Sequence, residues 1–204
     1  QLSSAQELAF QEIEKSFNSK EVCLLHGVTS SGKTEIYIQL IERYLQQEKQ
    51  ILYLLPEIAL TTQLVGRLRA YFGNKVAVFH SKHNNNERVE VWKQVLENSP
   101  KAQIVIGARS ALFLPFSNLG LIIVDEEHEQ TFKQQDPAPR YHARDAAVVL
   151  ASLHQVTQTN GEPCGAKVLL GSATPSIETY FNAQSGKYGL VEILERYGKA
   201  SLPE

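Results

Sequence analysis

The sequence predicts an α/β domain built on an open, mainly parallel, doubly wound sheet with helices on both faces. Three observations carry this. Apolar runs alternate with helical patterns along the chain. A complete phosphate-binding loop, G-V-T-S-S-G-K-T at residues 27–34, lies between one such run and one such pattern. A second apolar run ends in acid, L-I-I-V-D-E-E-H at residues 121–128.

The apolar runs place strands at residues 22–26, 51–55, 76–79, 103–107, 121–125 and 167–171. They are nearly unbroken in Val, Ile and Leu, as expected where helices cover both faces of a parallel sheet. Between them, residues 34–48 put Tyr37, Leu40, Ile41, Tyr44 and Leu45 on one helical face. Further helices are expected over 58–72, 86–97, 142–154 and 176–184. Residues 84–86, all Asn, could cap the helix at 86–97, and Thr174 or Ser176 the last one. Residues 155–166 are polar with Gly and Pro and read as a surface loop. Residues 1–195 are expected to form one lobe and residues 196–204 a linker.

The 204 residues suffice for one α/β domain with a sizeable core. A net charge of −2 and a pI near 6.3 give no bulk support for nucleic-acid binding, so any such contact must be local. The two cysteines, Cys23 and Cys164, are far apart and form no C-x-x-C pair. Cys23, in an apolar run, is expected in the core, and the usage fits a reducing cytoplasm. No apolar run approaches membrane-spanning length and no signal peptide is visible. The absence of methionine, even at position 1, is expected of a segment of a longer protein.

In the loop at 27–34, Gly27 and Gly32 allow a tight turn. The backbone N–H groups of Val28, Thr29, Ser30 and Ser31 can then face an anion. Lys33 reaches outer phosphates, and the Thr34 hydroxyl can sit on Mg²⁺. The following helix adds its positive end. An apolar strand ending in acid complements this loop. Asp125 would hold Mg²⁺, and Glu126 would position or deprotonate an attacking water. The same stretch lacks the spacing of a zinc site.

Residues 171–176, G-S-A-T-P-S, supply two hydroxyls where the last predicted strand ends. Ser172 and Thr174 could hydrogen-bond the acidic cluster and sense the nucleotide state, although local physics alone favours a helix cap. His80 and His83 lack further ligands and read as a strand-end loop. Trp92 shares a helical face with Val89, Val95 and Leu96, which points to core packing rather than base stacking. Residues 132–145 interleave Lys133, Arg140 and Arg144 with Phe132, Tyr141 and His142. Such a mixture can track a nucleic-acid backbone or merely tack down a loop, and local reasoning leaves both open.

With these residues in view, the chain resembles the superfamily 2 helicases, specifically those of replication restart. The likeness rests on L-S-S-A-Q (2–6), G-V-T-S-S-G-K-T-E (27–35), L-L-P-E-I-A-L-T (54–61), F-H-S (79–81) and I-V-I-G-A-R-S-A-L-F-L-P-F (104–116). It continues through D-E-E-H (125–128), Y-H-A-R-D (141–145) and G-S-A-T-P-S. It implies the first RecA-like motor lobe of an ATP-dependent 3′–5′ DNA helicase, with ATP and Mg²⁺ as cofactors. It further implies that Gln6 recognises adenine and that Pro56, Glu57, Thr61, Arg109 and Ser110 lie in DNA-facing loops. Residues 129–145, including Lys133, Arg140, Tyr141 and Arg144, would link DNA contact to the ATP site. His128, Ser172 and Thr174 would couple the two. Where relatives would carry a tryptophan after K-Q-Q, this chain has Asp136-Pro137-Ala138-Pro139, leaving Phe132 and Tyr141 for stacking. The implied partners are forked or single-stranded DNA, a second motor lobe and a zinc-binding region of the same chain, primosome proteins and single-strand-binding proteins. A small-molecule kinase and a non-catalytic adaptor are the rival readings; the adjacent acids and the G-S-A-T-P-S turn weigh against the first, and the full set Lys33, Thr34, Asp125 and Glu126 against the second.

Overall fold

Strands that are apolar at every position need cover on both sides, and the structure supplies it. This computed structural model describes residues 2–29, 31–80, 84–154, 156–157 and 163–194. In chain order the elements are α1 (Ser4–Phe17), β1 (Val22–Gly27), α2 (Lys33–Gln46), β2 (Gln50–Leu54), α3 (Thr62–Phe72), β3 (Val76–Phe79), α4 (Asn85–Leu96), β4 (Ile104–Gly107) and β5 (Leu119–Asp125). They continue with β6 (Lys133–Gln134), β7 (Tyr141–His142), α5 (Ala143–Leu153), β8 (Val156–Thr157), β9 (Pro163–Cys164), β10 (Lys167–Ser172), α6 (Ile177–Gln184) and β11 (Gly189–Ile193).

Seven strands form one parallel sheet in the order β11-β1-β10-β5-β2-β4-β3. Alternation along each strand feeds two cores. Leu121 and Ile123 of β5 join one core with Ile13 of α1, Tyr37 of α2 and Leu68 of α3. Ile122 and Val124 join the other with Val95 of α4, Ala147 of α5 and Ala183 of α6. Each core cluster holds more than twenty buried residues, which is why the strands carry no polar alternation. Cys23 is fully buried, and burial pushes its thiol up to about 12, so it behaves as a core residue.

The six expected strands are present to within two residues at either end. The helix expected over 58–72 is split. A short 3₁₀ turn at Glu57–Ala59 is followed by Thr61, whose hydroxyl accepts from the Leu64 N–H and starts α3 afresh. The short pair β6–β7 was not expected, and two larger elements also lay beyond the expectation. The first is α1, capped by a reciprocal Ser3–Gln6 box, and the second is the edge strand β11. The loop expected over 155–166 contains the short antiparallel pair β8–β9. The proposed linker 196–204 and residues 81–83 lie outside the described residues.

Trp92 is a correction. It is 45% exposed, with Val89 and Leu96 exposed beside it, while Val95 alone of that set is buried. Helix α4 covers the edge of the sheet next to β3. Only the narrow stripe of Val91 and Val95 meets the core, so the neighbouring stripe is left in solvent.

Candidate nucleotide-binding site

β1, β10 and β5 are neighbours and run parallel, so their carboxyl ends share one edge of the sheet. That edge is where ligands of open α/β folds bind. The phosphate-binding loop leaves β1 there, the acids end β5 there, and Ser172 ends β10 there.

Gly32 is the N-cap of α2 at φ 78°, in the left-handed region that suits glycine, and no side chain caps this helix. A Cβ on Gly32 would sit 2.1 Å from Gln6 Nε2. Gln6 is buried, and its amide donates to the Ser31 and Gly32 carbonyls at 3.3 Å each. The α1 cap therefore also braces the loop from behind. Lys33 Nζ donates to the Gly27 carbonyl at 2.9 Å. Ser31 Oγ is buried without a partner, and the Val28 N–H is spent on the Ile193 carbonyl. Ser30 lies outside the described residues.

Across the cleft, Glu126 takes a left-handed φ of 51°, a conformation costing a non-glycine residue on the order of 1 kcal/mol. This turn separates the fates of three consecutive acids. Asp125 Oδ1 accepts from the Tyr37 hydroxyl at 3.0 Å and from the Glu126 N–H at 3.1 Å, and Oδ2 accepts from the Tyr53 hydroxyl at 3.2 Å. Burial, then the Glu126 charge, raise the Asp125 pKa against the opposing effects of Tyr37 and Lys33. An arriving cation would relieve that cost. The oxygen donors Thr34, Asp125 and Glu126 suit a hard ion such as Mg²⁺. Among the described residues no three His, Cys, Asp or Glu side chains cluster as metal ligands.

His128 bridges the two walls. Its Nδ1 lies 2.7 Å from Ser172 Oγ and its Nε2 lies 3.4 Å from Thr174 Oγ1, while Ser172 Oγ accepts from the Thr174 N–H at 3.0 Å. Thr29, Ser31 to Glu35, Arg67, Asp125, Glu126, His128, Ala173 and Thr174 line one cleft of about 540 Å³. A groove of about 570 Å³ also flanks edge strand β3, but it holds neither the loop nor the acids, so size alone does not mark the site.

The third acid, Glu127, is fully buried. Its carboxylate accepts from the Ser176 N–H at 2.7 Å, Thr179 Oγ1 at 2.9 Å, Ser176 Oγ at 3.1 Å and Arg144 Nη1 at 3.3 Å. Arg144 is the second correction. Expected on a DNA-facing surface, it is buried and ties three carboxylates together. Nε donates to Asp145 and Nη2 to Glu178, both at 2.8 Å, and Nη1 also reaches Ser176 Oγ at 2.7 Å. Burial opposes its charge, but the hydrogen bond and charge of Asp145, reinforced by Glu127, raise its pKa. This network joins the acidic strand end, the start of α5 and the segment after Thr174. Thr179 and Glu178 belong to no motif, and the one signal for Glu127 in the sequence is its place as a third acid without a role.

The remaining expected DNA contacts divide. Lys133 and Arg140 are exposed, and Tyr141 is half-buried with its ring edge-on to exposed Phe113 at 5.2 Å. Arg109 donates to the Thr131 and Lys133 carbonyls and thereby pins the 129–142 loop. Ser110 is half-buried and Thr61 is the exposed cap of α3. Pro56 is buried, and so is Phe132, which belongs to the core and is withdrawn from stacking.

Replication restart protein PriA of Bacillus subtilis is 44% identical over the whole of this chain, which spans 24% of that protein. PriA of Haemophilus influenzae is 46% identical over 98% of the chain, again over about a quarter (26%) of the relative. Among solved structures, RecG bound to a three-way DNA junction superposes over 98% of the chain and 25% of its own, with a TM-score of 0.67 and 22% identity. The DUF1998 helicase MrfA gives 0.63 and 21% over 95% of the chain and 30% of its own. These two likenesses show the RecA-like fold. A model of the DEAD/DEAH box helicase family matches residues 3–182, from the α1 cap into α6, and the chain belongs to that family.

Proposed function

We propose that this chain is the ATP-binding RecA-like lobe of an ATP-dependent 3′–5′ DNA helicase of replication restart, working in the cytoplasm at forked or single-stranded DNA. The observation that carries the reading is the convergence of Lys33, Thr34, Asp125, Glu126, His128 and Thr174 on one cleft. The likeness to PriA supports the restart role. Loop amides and Lys33 neutralise phosphate charge, with Lys33 exchanging the Gly27 carbonyl for a phosphate oxygen. Bound Mg²⁺, held by Thr34 and Asp125, supplies further neutralisation of the triphosphate. Glu126 orients the attacking water and accepts its proton. His128 carries the state of Glu126, 3.7 Å from it, to Ser172 and Thr174. A second motor lobe closes the cleft and supplies the arginine finger, so this lobe by itself turns ATP over poorly. Lys133 and Arg140 meet DNA phosphates, and Tyr141 offers a stacking edge.

The test is Glu126→Gln in the full-length protein. Hydrolysis should fall about 10²–10⁴-fold while nucleotide binding persists. Unchanged turnover removes Glu126 from the reaction, and turnover indifferent to DNA contradicts the motor reading.

A further inference from the structure

We propose that Tyr37 and Tyr53 are positioning residues which clamp the Asp125 carboxylate in the single orientation that meets the cation of a bound nucleotide. The proposal rests on the nucleotide-site reading above and adds two residues to it. Tyr37 projects from α2 and Tyr53 from β2, onto the sheet face shared with Leu121, Ile123 and therefore Asp125. Both rings are fully buried and meet edge to face, with centroids 5.7 Å apart at 77°. For packing alone, phenylalanine would serve at either position, since a buried tyrosine hydroxyl requires a partner. Here both hydroxyls have the same one, and each takes a different oxygen of Asp125.

The neighbouring strand is shaped around this arrangement. Gly171 of β10 lies opposite Asp125 in the parallel register, and a Cβ there would come within 1.8 Å of the Tyr37 hydroxyl. A carboxylate offers about four lone-pair directions. Tyr37 and the Glu126 N–H occupy Oδ1, and Tyr53 occupies one side of Oδ2. One lone pair on Oδ2 is left. Asp125 thus meets a cation, or a water in the cation's shell, through one oxygen in a fixed direction. Without the two hydroxyls the carboxylate gains rotational freedom and must be ordered when the ion binds. Removing such outer partners of a metal-holding side chain characteristically weakens metal affinity by about 10–100-fold.

The experiment measures binding of N-methylanthraniloyl-ADP to the full-length protein by fluorescence, with EDTA and across a Mg²⁺ titration. The variants are Tyr37→Phe, Tyr53→Phe, the double variant and Lys33→Ala, each checked for folding by circular dichroism. Each Tyr→Phe variant should move the Mg²⁺ midpoint upward about 10-fold, and the double variant further, with affinity in EDTA held within about two-fold. An unmoved midpoint overturns the clamp. So does an equal loss with and without Mg²⁺, which marks general distortion of the cleft. Lys33→Ala separates the two levels of the argument. If it leaves nucleotide affinity intact, the site reading itself fails. If it abolishes affinity while both Tyr→Phe variants titrate like the parent, only the clamp fails.

Discussion

Arg144→Ala separates a buried brace from a DNA contact. The substitution strips the guanidinium from Glu127, whose side chain is 0% exposed, and frees Asp145 and Glu178 at 55% and 70% exposure. Removing one partner of a buried ion pair costs about 3–5 kcal/mol, whereas the two exposed pairs contribute at most about 1 kcal/mol each. Glu127 keeps three neutral donors from Ser176 and Thr179, which places the loss toward the lower end, about 3 kcal/mol. For a domain of this size each kcal/mol shifts Tm by about 2–4 °C, so melting should drop by ~6–12 °C. Thermal unfolding by circular dichroism gives the single-variant effect. A double-mutant cycle with Glu127→Gln should return a coupling above about 1 kcal/mol. A stability change below about 0.5 kcal/mol, together with weakened DNA binding, would refute the brace and restore Arg144 to the DNA surface.

Two further outcomes follow from the same region. Replacing exposed Lys133 and Arg140 with Ala should weaken single-stranded DNA binding and flatten its salt dependence by about 0.7 per lost phosphate contact. Folding stability should stay within about 0.5 kcal/mol of the parent, and an unchanged salt slope would take both residues off the DNA path. His142 Nδ1 accepts from the Arg144 N–H at 3.3 Å and caps α5. Burial, then the Arg144 charge, lower its pKa from 6.5. The folded state thus binds this proton less readily than the unfolded chain. The stability involved is complete above about 6.5 and is lost as pH falls through the lowered value. The parent should lose Tm relative to His142→Asn between about pH 7 and about pH 5. His154, also lowered by burial, is common to both proteins and cancels in the difference. Parallel curves would show that the cap does not titrate in this range.

The phosphate-binding loop and Asp125–Glu126 were legible because each is a short motif whose spacing implies its chemistry. The six central strands were legible because cover on both faces leaves uninterrupted apolar runs. α1 carries a readable helix signal in Ser3 with Gln6, then Ala9, Ile13 and Phe17 at four-residue intervals. β11 is an edge strand in which Gly189 and the exposed Glu192 break up the apolar residues Leu190, Val191 and Ile193, so it lacks the uninterrupted run of the central strands. Tyr37 was correctly set on the inward face of its helix, but its partner lies 88 residues away. Arg144 shows the same limit from the other side. Its neighbours in sequence are cations and aromatics, which suggests a surface for nucleic acid. Its burial depends on Glu127 and Glu178, which only the packing of α5 against β5 and β10 brings near.

A co-crystal structure of the chain with Mg²⁺ and a non-hydrolysable ATP analogue tests the central claim most directly. The triphosphate should lie against the loop at residues 27–34, with Lys33 Nζ moved from the Gly27 carbonyl to the outer phosphates and the ion between Thr34 and Asp125. An analogue bound elsewhere, or a loop still closed by the Lys33–Gly27 contact with no ion near Asp125, would contradict it.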